Sequence, residues 1–280
     1  MRPISLISNF KRFLSKVCKF QSNRVAFPQN ETIPYEKRTL YRIRLHQLSN
    51  SPKPGFGRPQ YGTEVNCNLL KKWIGNLDSE ASERAESRGL SQPLTIRVID
   101  VHQHCITTTT TNCRHLALSY VWGGPQTFQS TVSNRAVLEE PGGLQFEDLP
   151  ATLKDAAFVT SQIGERFLWI DSLCIIQDDP NFKHSQIAVM DRIYQSAVAT
   201  IVAAGGSNVH AGLTGIRRRE WLQHSEFIQN MLLANRRPGI AGLSEWNTMA
   251  WVCQEEKLSR RLLMFTTGGV ELVSEYGYPF

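Results

Sequence analysis

Residues 167–179 read FLWIDSLCIIQDD: an apolar run halts at Asp171, resumes, and closes in the adjacent carboxylates Asp178 and Asp179. An aspartate at the end of such a run can cap the following turn by accepting backbone N–H bonds, or it can face a ligand. Both roles stay open, and one residue can fill both. Trp122 with Gly123 and Gly124 raises a similar pair of readings. The ring is either core or a ligand contact, and glycines permit close backbone approach to a phosphate. No GxGxxG or GxxxxGK pattern accompanies them, so no standard nucleotide loop is present. Other nucleophile arrangements read poorly. Ser119 lies inside a strand pattern and no GxSxG exists for a hydrolase elbow. Cys174, between Leu173 and Ile175, reads as a buried small apolar side chain. His102, His104, Cys105, Cys113 and His115 are metal-binding types, but their irregular spacing around a threonine tract matches no zinc module, so no metal site is expected.

The elements around these residues can be placed by period and punctuation. LTIRVIDV (94–101) has strand composition, and Thr107–Thr111 favour a hairpin or loop. HLALSYV (115–121) reads as a strand stopped by Trp122-Gly123-Gly124-Pro125. A helix follows Asp148 and Pro150, with Leu149, Leu153, Ala156 and Ala157 on one face and Gly164 as its stop. FLWID is a second strand. Ile187, Met190, Tyr194 and Ala197 mark a second helix running into VATIVAA, a third strand closed by Gly205-Gly206. Continuous apolar strands alternating with helices imply a parallel α/β sheet with helices on both faces and extra strands and helices at its periphery. Ligands in such sheets gather beyond the carboxyl ends of the strands. Trp122-Gly123-Gly124, Asp171-Ser172 and Gly205-Gly206-Ser207 are therefore expected on one edge.

Composition bounds the partners. The chain has 280 residues, 31 Lys and Arg against 25 Asp and Glu, and six cysteines without a CxxC pair. Six of the basic residues and none of the acids fall in residues 1–30, so the remainder is balanced and a nucleic-acid partner is not expected. The scattered cysteines and the absence of a signal-peptide pattern point to an intracellular, cytoplasmic protein. No run is long and apolar enough to span a membrane. The basic, phenylalanine-containing stretch 4–20 also fits a mitochondrial presequence or a membrane-surface helix. Proline and glycine through residues 1–66 predict a poorly ordered lead-in. A helix and strands over 67–112 then lead into the main domain over 113–280.

LALSYVWGG (116–124), LPATLKDAA (149–157), FLWIDSLCIIQDD (167–179), MDRIYQSAVATIVAAGG (190–206), GLTGIR (212–217) and WVCQEEKLSRRLLMFT (251–266) occur in an order and spacing that resembles the fungal heterokaryon incompatibility (HET) domain. The resemblance runs from about Ile96 to the C-terminus. It implies an effector of regulated cell death in self/non-self recognition, a form of innate immunity, working with protein partners or by self-association. Some positions depart from the family pattern. Gln186 stands where a glutamate is common, Met249-Ala250-Trp251-Val252 replaces Arg-Gly-Trp-Thr, and the stretch after Trp73 lacks the Cys and His of many members. The sequence ends at Phe280, where members usually continue, so a C-terminally short domain is expected.

HET domains are in turn similar to TIR domains, flavodoxin-like modules of which some cleave NAD at the nicotinamide–ribose bond with a glutamate. That likeness implies NAD as a substrate, with no cofactor otherwise called for. It makes Glu255, four residues after Trp251, the catalytic carboxylate, with Asp171 or Asp178 assisting. Trp122, Gly123, Gly124, Trp251 and Ser172 would contact the dinucleotide. Residues four apart on a helix share a face, so the Trp251 ring could flank the ligand that Glu255 serves. Equally, Glu255 can pair with Lys257 or Arg260 on a helix surface while Trp251 packs in the core. A non-enzymatic interaction or oligomerisation module is the alternative to catalysis.

Overall fold

The computed structural model describes residues 44–47, 64–82, 92–124, 128–217, 225–228, 231–236, 246 and 258–274. In chain order its strands are β1 (Arg44–Gln47), β2 (Thr95–Asp100), β3 (Cys105–Thr110), β4 (His115–Ser119), β5 (Phe167–Trp169), β6 (Ala199–Val202), β7 (Ser225–Ile228), β8 (Met231–Arg236), β9 (Arg261–Thr266) and β10 (Gly269–Ser274). Its helices are α1 (Cys67–Ser82), α2 (Arg135–Glu139), α3 (Ala151–Gln162), α4 (Asp171–Cys174), α5 (Pro180–Ile187) and α6 (Met190–Ser196). None is long and apolar enough to cross a membrane, among the described residues. Most of the expected lead-in over 1–66, with its stretch 4–20, lies outside them. Within it, β1 pairs antiparallel with β8 in a small sheet of order β1-β8-β7.

The main sheet has the order β10-β9-β6-β4-β5-β2-β3. Its centre is parallel: β4 pairs with β5 and with β6, and β6 with β9. Its margins are antiparallel, since β2 pairs against both β5 and β3, and β10 against β9. The expectation of an α/β fold with a parallel central sheet and extra strands at its periphery holds, and those extra strands run antiparallel. Margin strands joined by tight turns, such as β2 to β3, need no helical crossover and so return antiparallel. Every residue of β4 and β6 is buried, as strands covered on both faces require.

The helical layers follow from their apolar faces. Pro150 stands at the N-cap of α3, which buries Leu153, Ala156, Ala157 and Val159, and Gly164 follows its end. Trp169 of β5, with no exposed surface, meets Tyr194 of α6 edge to face at 5.5 Å. Arrangements of this kind are favoured by the ring quadrupoles.

Three local expectations are corrected. The threonine tract is not a loop: Thr107–Thr110 lie in β3, one arm of the expected hairpin, because β-branched side chains suit a strand, and the hairpin turn falls at Val101–His104. The single helix expected through Ile187 and Ala197 is two, α5 and α6, broken at Ala188-Val189. Asp179 starts the first of them, its carboxylate accepting the N–H groups of Asn181 and Phe182 ahead of Pro180 at the first turn. Finally, FLWID ends as a strand at Trp169, and Asp171 opens the short α4.

Candidate functional site

The order of the parallel strands locates a topological switch point. The chain leaves β4 toward β5 on one side and leaves β6 toward β9 on the other, so the direction of connection reverses between those strands. Such a switch point is where open α/β sheets bind ligands. The loop after β4 carries Trp122, Gly123 and Gly124. Gly123 has φ +73, and a Cβ there would lie 2.2 Å from the Asn208 Cβ of the loop after β6. Only glycine allows that approach. Gly124, at φ +139, is exposed, and a Cβ on it would meet nothing within 4 Å.

Asp171 reaches this edge from β5. Its Oδ2 accepts the indole N–H of Trp122 at 2.9 Å, and its Oδ1 accepts the Ser172 N–H at 2.7 Å. Its backbone carbonyl takes the Gln177 side-chain amide at 2.9 Å, which closes the short α4. Asp171 therefore holds the Ser172 N–H and a side chain at the sheet edge, while the helix it opens has Ile170 at its N-cap and no side-chain cap. The residue is partly exposed, yet burial pushes its carboxyl up to about 6, against the downward pull of the Ser172 N–H, the Trp122 indole and the Tyr120 hydroxyl. A carboxyl in that range changes protonation near neutrality.

Ser172 is buried and accepts the Tyr120 hydroxyl at 3.0 Å, so it braces Tyr120 rather than facing solvent. Tyr120 was not foreseen as a partner. The signal was available, because in extended backbone Tyr120 and Trp122 project to the same side. The other two acids of the opening stretch have local tasks. Asp178 accepts the Val132 N–H at 2.8 Å, and Asp179 caps α5.

The structure thus joins Trp122 to Asp171 and sets Gly123 against Asn208. Trp251 and Glu255 lie outside the described residues. Cys174 is buried and its thiol is pushed up to about 12, chiefly by burial, which leaves it inert as a nucleophile. His115 has no exposed surface, and its ring nitrogens face the carbonyls of Cys113 and Ile193 at 3.0 and 3.2 Å. Among the described residues no three His, Cys, Asp or Glu side chains converge to hold a metal ion.

The loop after β6 is itself fixed from α3. Asp155, wholly buried, accepts the Leu213 N–H at 2.9 Å and pairs with Arg217 at 3.4 Å, while the Thr152 hydroxyl accepts the Gly212 N–H at 3.0 Å. The segments bearing the site coincide with a family match. The model of the heterokaryon incompatibility protein (HET) family matches residues 115–261, just over half of the chain.

The chain belongs to the HET family. Among curated proteins, heterokaryon incompatibility protein 6, OR allele, of Neurospora crassa is 32% identical over 142 residues, which are 43% of this chain and 20% of that protein. The match therefore spans about a fifth of the relative's length. No solved structure matches. Within this HET domain, the matched segment contains Trp122, Asp171 and the α3 clamp, and it ends at the first residue of β9.

Proposed function

We propose that this chain acts as an effector in heterokaryon incompatibility, triggering cell death from the cytoplasm by cleaving NAD at the switch point between β4 and β6. The relationship that carries the reading is the Trp122–Asp171 pair at the switch point: an aromatic ring and a partly exposed carboxyl of raised pKa beside open glycine backbone. The family match and the role printed in the name of the Neurospora relative supply the biological setting.

In this reaction the bond from ribose C1′ to the nicotinamide nitrogen breaks and its electron pair leaves with nicotinamide. Water adds to the oxocarbenium-like sugar and releases a proton, giving ADP-ribose. A carboxylate near C1′ lowers the barrier by stabilising the developing positive charge. Glu255 takes that role in this reading. Asp171 accepts the proton of the attacking water, Trp122 and Trp251 flank the dinucleotide, and the Gly123-Gly124 backbone approaches a phosphate.

The alternative is an assembly module without catalysis. Val132 and Val137, 61% and 62% exposed, favour a contact surface around α2. Expression in fungal cells separates the two. Loss of cellular NAD and of viability with the parent, both abolished by Glu255→Ala, supports catalysis. Toxicity that survives Glu255→Ala and disappears with Val137→Lys supports assembly.

A further inference from the structure

β2 buries two charged side chains, Asp100, which pairs with Arg166 at 2.6 Å, and Arg97. Ile96, Val98 and Ile99 are buried apolar neighbours, yet Arg97 is only 5% exposed. A guanidinium is held there against a desolvation penalty that apolar packing would avoid, so its contacts bear on what it does. One terminal nitrogen donates to the Ser130 hydroxyl at 3.4 Å and to the Cys174 carbonyl at 3.3 Å. The other pairs with Glu139 of α2 at 3.2 Å, and its Nε has no hydrogen-bond partner among the described residues. Ser130 has no exposed surface and brackets the Asp171 segment: its N–H donates to the Ser172 carbonyl at 2.9 Å and its carbonyl accepts the Gln177 N–H at 2.8 Å. Cys174 is the last residue of the helix that Asp171 opens.

From these contacts we infer that Arg97 is a positioning residue for Asp171, fastening the 171–177 segment and thereby fixing the carboxylate against Trp122. It touches neither Asp171 nor the switch point and works through Ser130 and the Cys174 carbonyl. Glu139 supplies the countercharge that keeps the guanidinium in place. As a contribution to catalysis, this inference rests on the proposed role of Asp171; as a statement about geometry, it does not.

The test uses the indole N–H of Trp122 in the full-length, nitrogen-15-labelled protein, its resonance identified by its loss in Trp122→Phe. In Arg97→Met the Trp122 resonance moves and exchanges faster with solvent, while the indole resonance of Trp169 in the core stays in place. Arg97→Lys, which keeps a charge and a donor, restores the parent signal in part. An unmoved Trp122 resonance in folded Arg97→Met overturns the inference. Should that variant not fold, Ser130→Ala replaces it, with the same displacement expected and an unmoved resonance again decisive against. Nicotinamide release, measured alongside, falls ~100-fold in whichever variant displaces the ring, the scale set by small misplacements of catalytic groups. A displaced ring together with no release by the parent would sink the proposed reaction and leave the positioning role standing.

Discussion

The indole nitrogen of Trp122 donates to the carboxylate of Asp171 across 2.9 Å, joining the loop that follows β4 to the helix that follows β5. A side-chain bond between two strand ends of a parallel sheet fixes the edge at which such sheets bind ligands. The other oxygen of the same carboxylate accepts the Ser172 N–H at 2.7 Å, so both oxygens are engaged.

The ionisation of Asp171 has a consequence for stability. Burial raises its carboxyl to about 6 from an ordinary 3.8, so between these values the folded chain holds a proton that the unfolded chain has released. Stability contributed by this group is then present below pH 3.8 and is lost as pH rises toward 6, by at most ~3 kcal/mol and less where solvent screens the carboxyl. Thermal melts from pH 4 to pH 7 should show that decline in the parent and a flatter profile in Asp171→Asn. Parallel profiles would mean that Asp171 does not titrate in this window.

The two adjacent glycines should respond unequally. Gly123→Ala combines a positive φ with a clash against Asn208, and is expected to destabilise by ~2 kcal/mol or more. Gly124→Ala meets open space and suffers only the backbone penalty, ~1–3 kcal/mol. Urea unfolding of both variants checks the order. A Gly124→Ala loss larger than that of Gly123→Ala would contradict the packed contact between the loops.

The clamp from α3 should be measurable at one amide. Asp155→Ala leaves the buried Leu213 N–H without its carboxylate, at a cost of ~1–3 kcal/mol. Hydrogen exchange should show lost protection at Leu213 and Gly212, with β4 and β6 still protected. Retained protection at Leu213 would show that the loop is held by other means.

Much of this architecture could be read from the sequence because burial leaves a plain mark. The apolar runs of β4 and β6 announce strands covered on both faces, and Pro150 and Gly164 bracket α3. The break between α5 and α6 is hidden, since Ile187, Met190 and Tyr194 keep helical spacing across Ala188-Val189, and only the Asp179-Pro180 start hints that a separate helix begins. At the site, the sheet-edge rule brings Trp122, Gly123 and Asp171 to one place, but it does not specify who bonds to whom. Tyr120 reads as core within an apolar run. Arg97 reads as the solvent-facing member of an alternating strand, although Ser130, Cys174 and Glu139 enclose it from segments distant in the chain. Contacts of that kind come from tertiary packing, which local pattern does not record.

Incubation of the purified full-length chain with NAD, followed by chromatography for nicotinamide and ADP-ribose, tests the central claim most directly. The account predicts slow, equimolar release of both products by the parent, abolished by Glu255→Ala and strongly reduced by Asp171→Asn and Trp122→Phe. No release by the folded parent, or equal release by parent and Glu255→Ala, would contradict it.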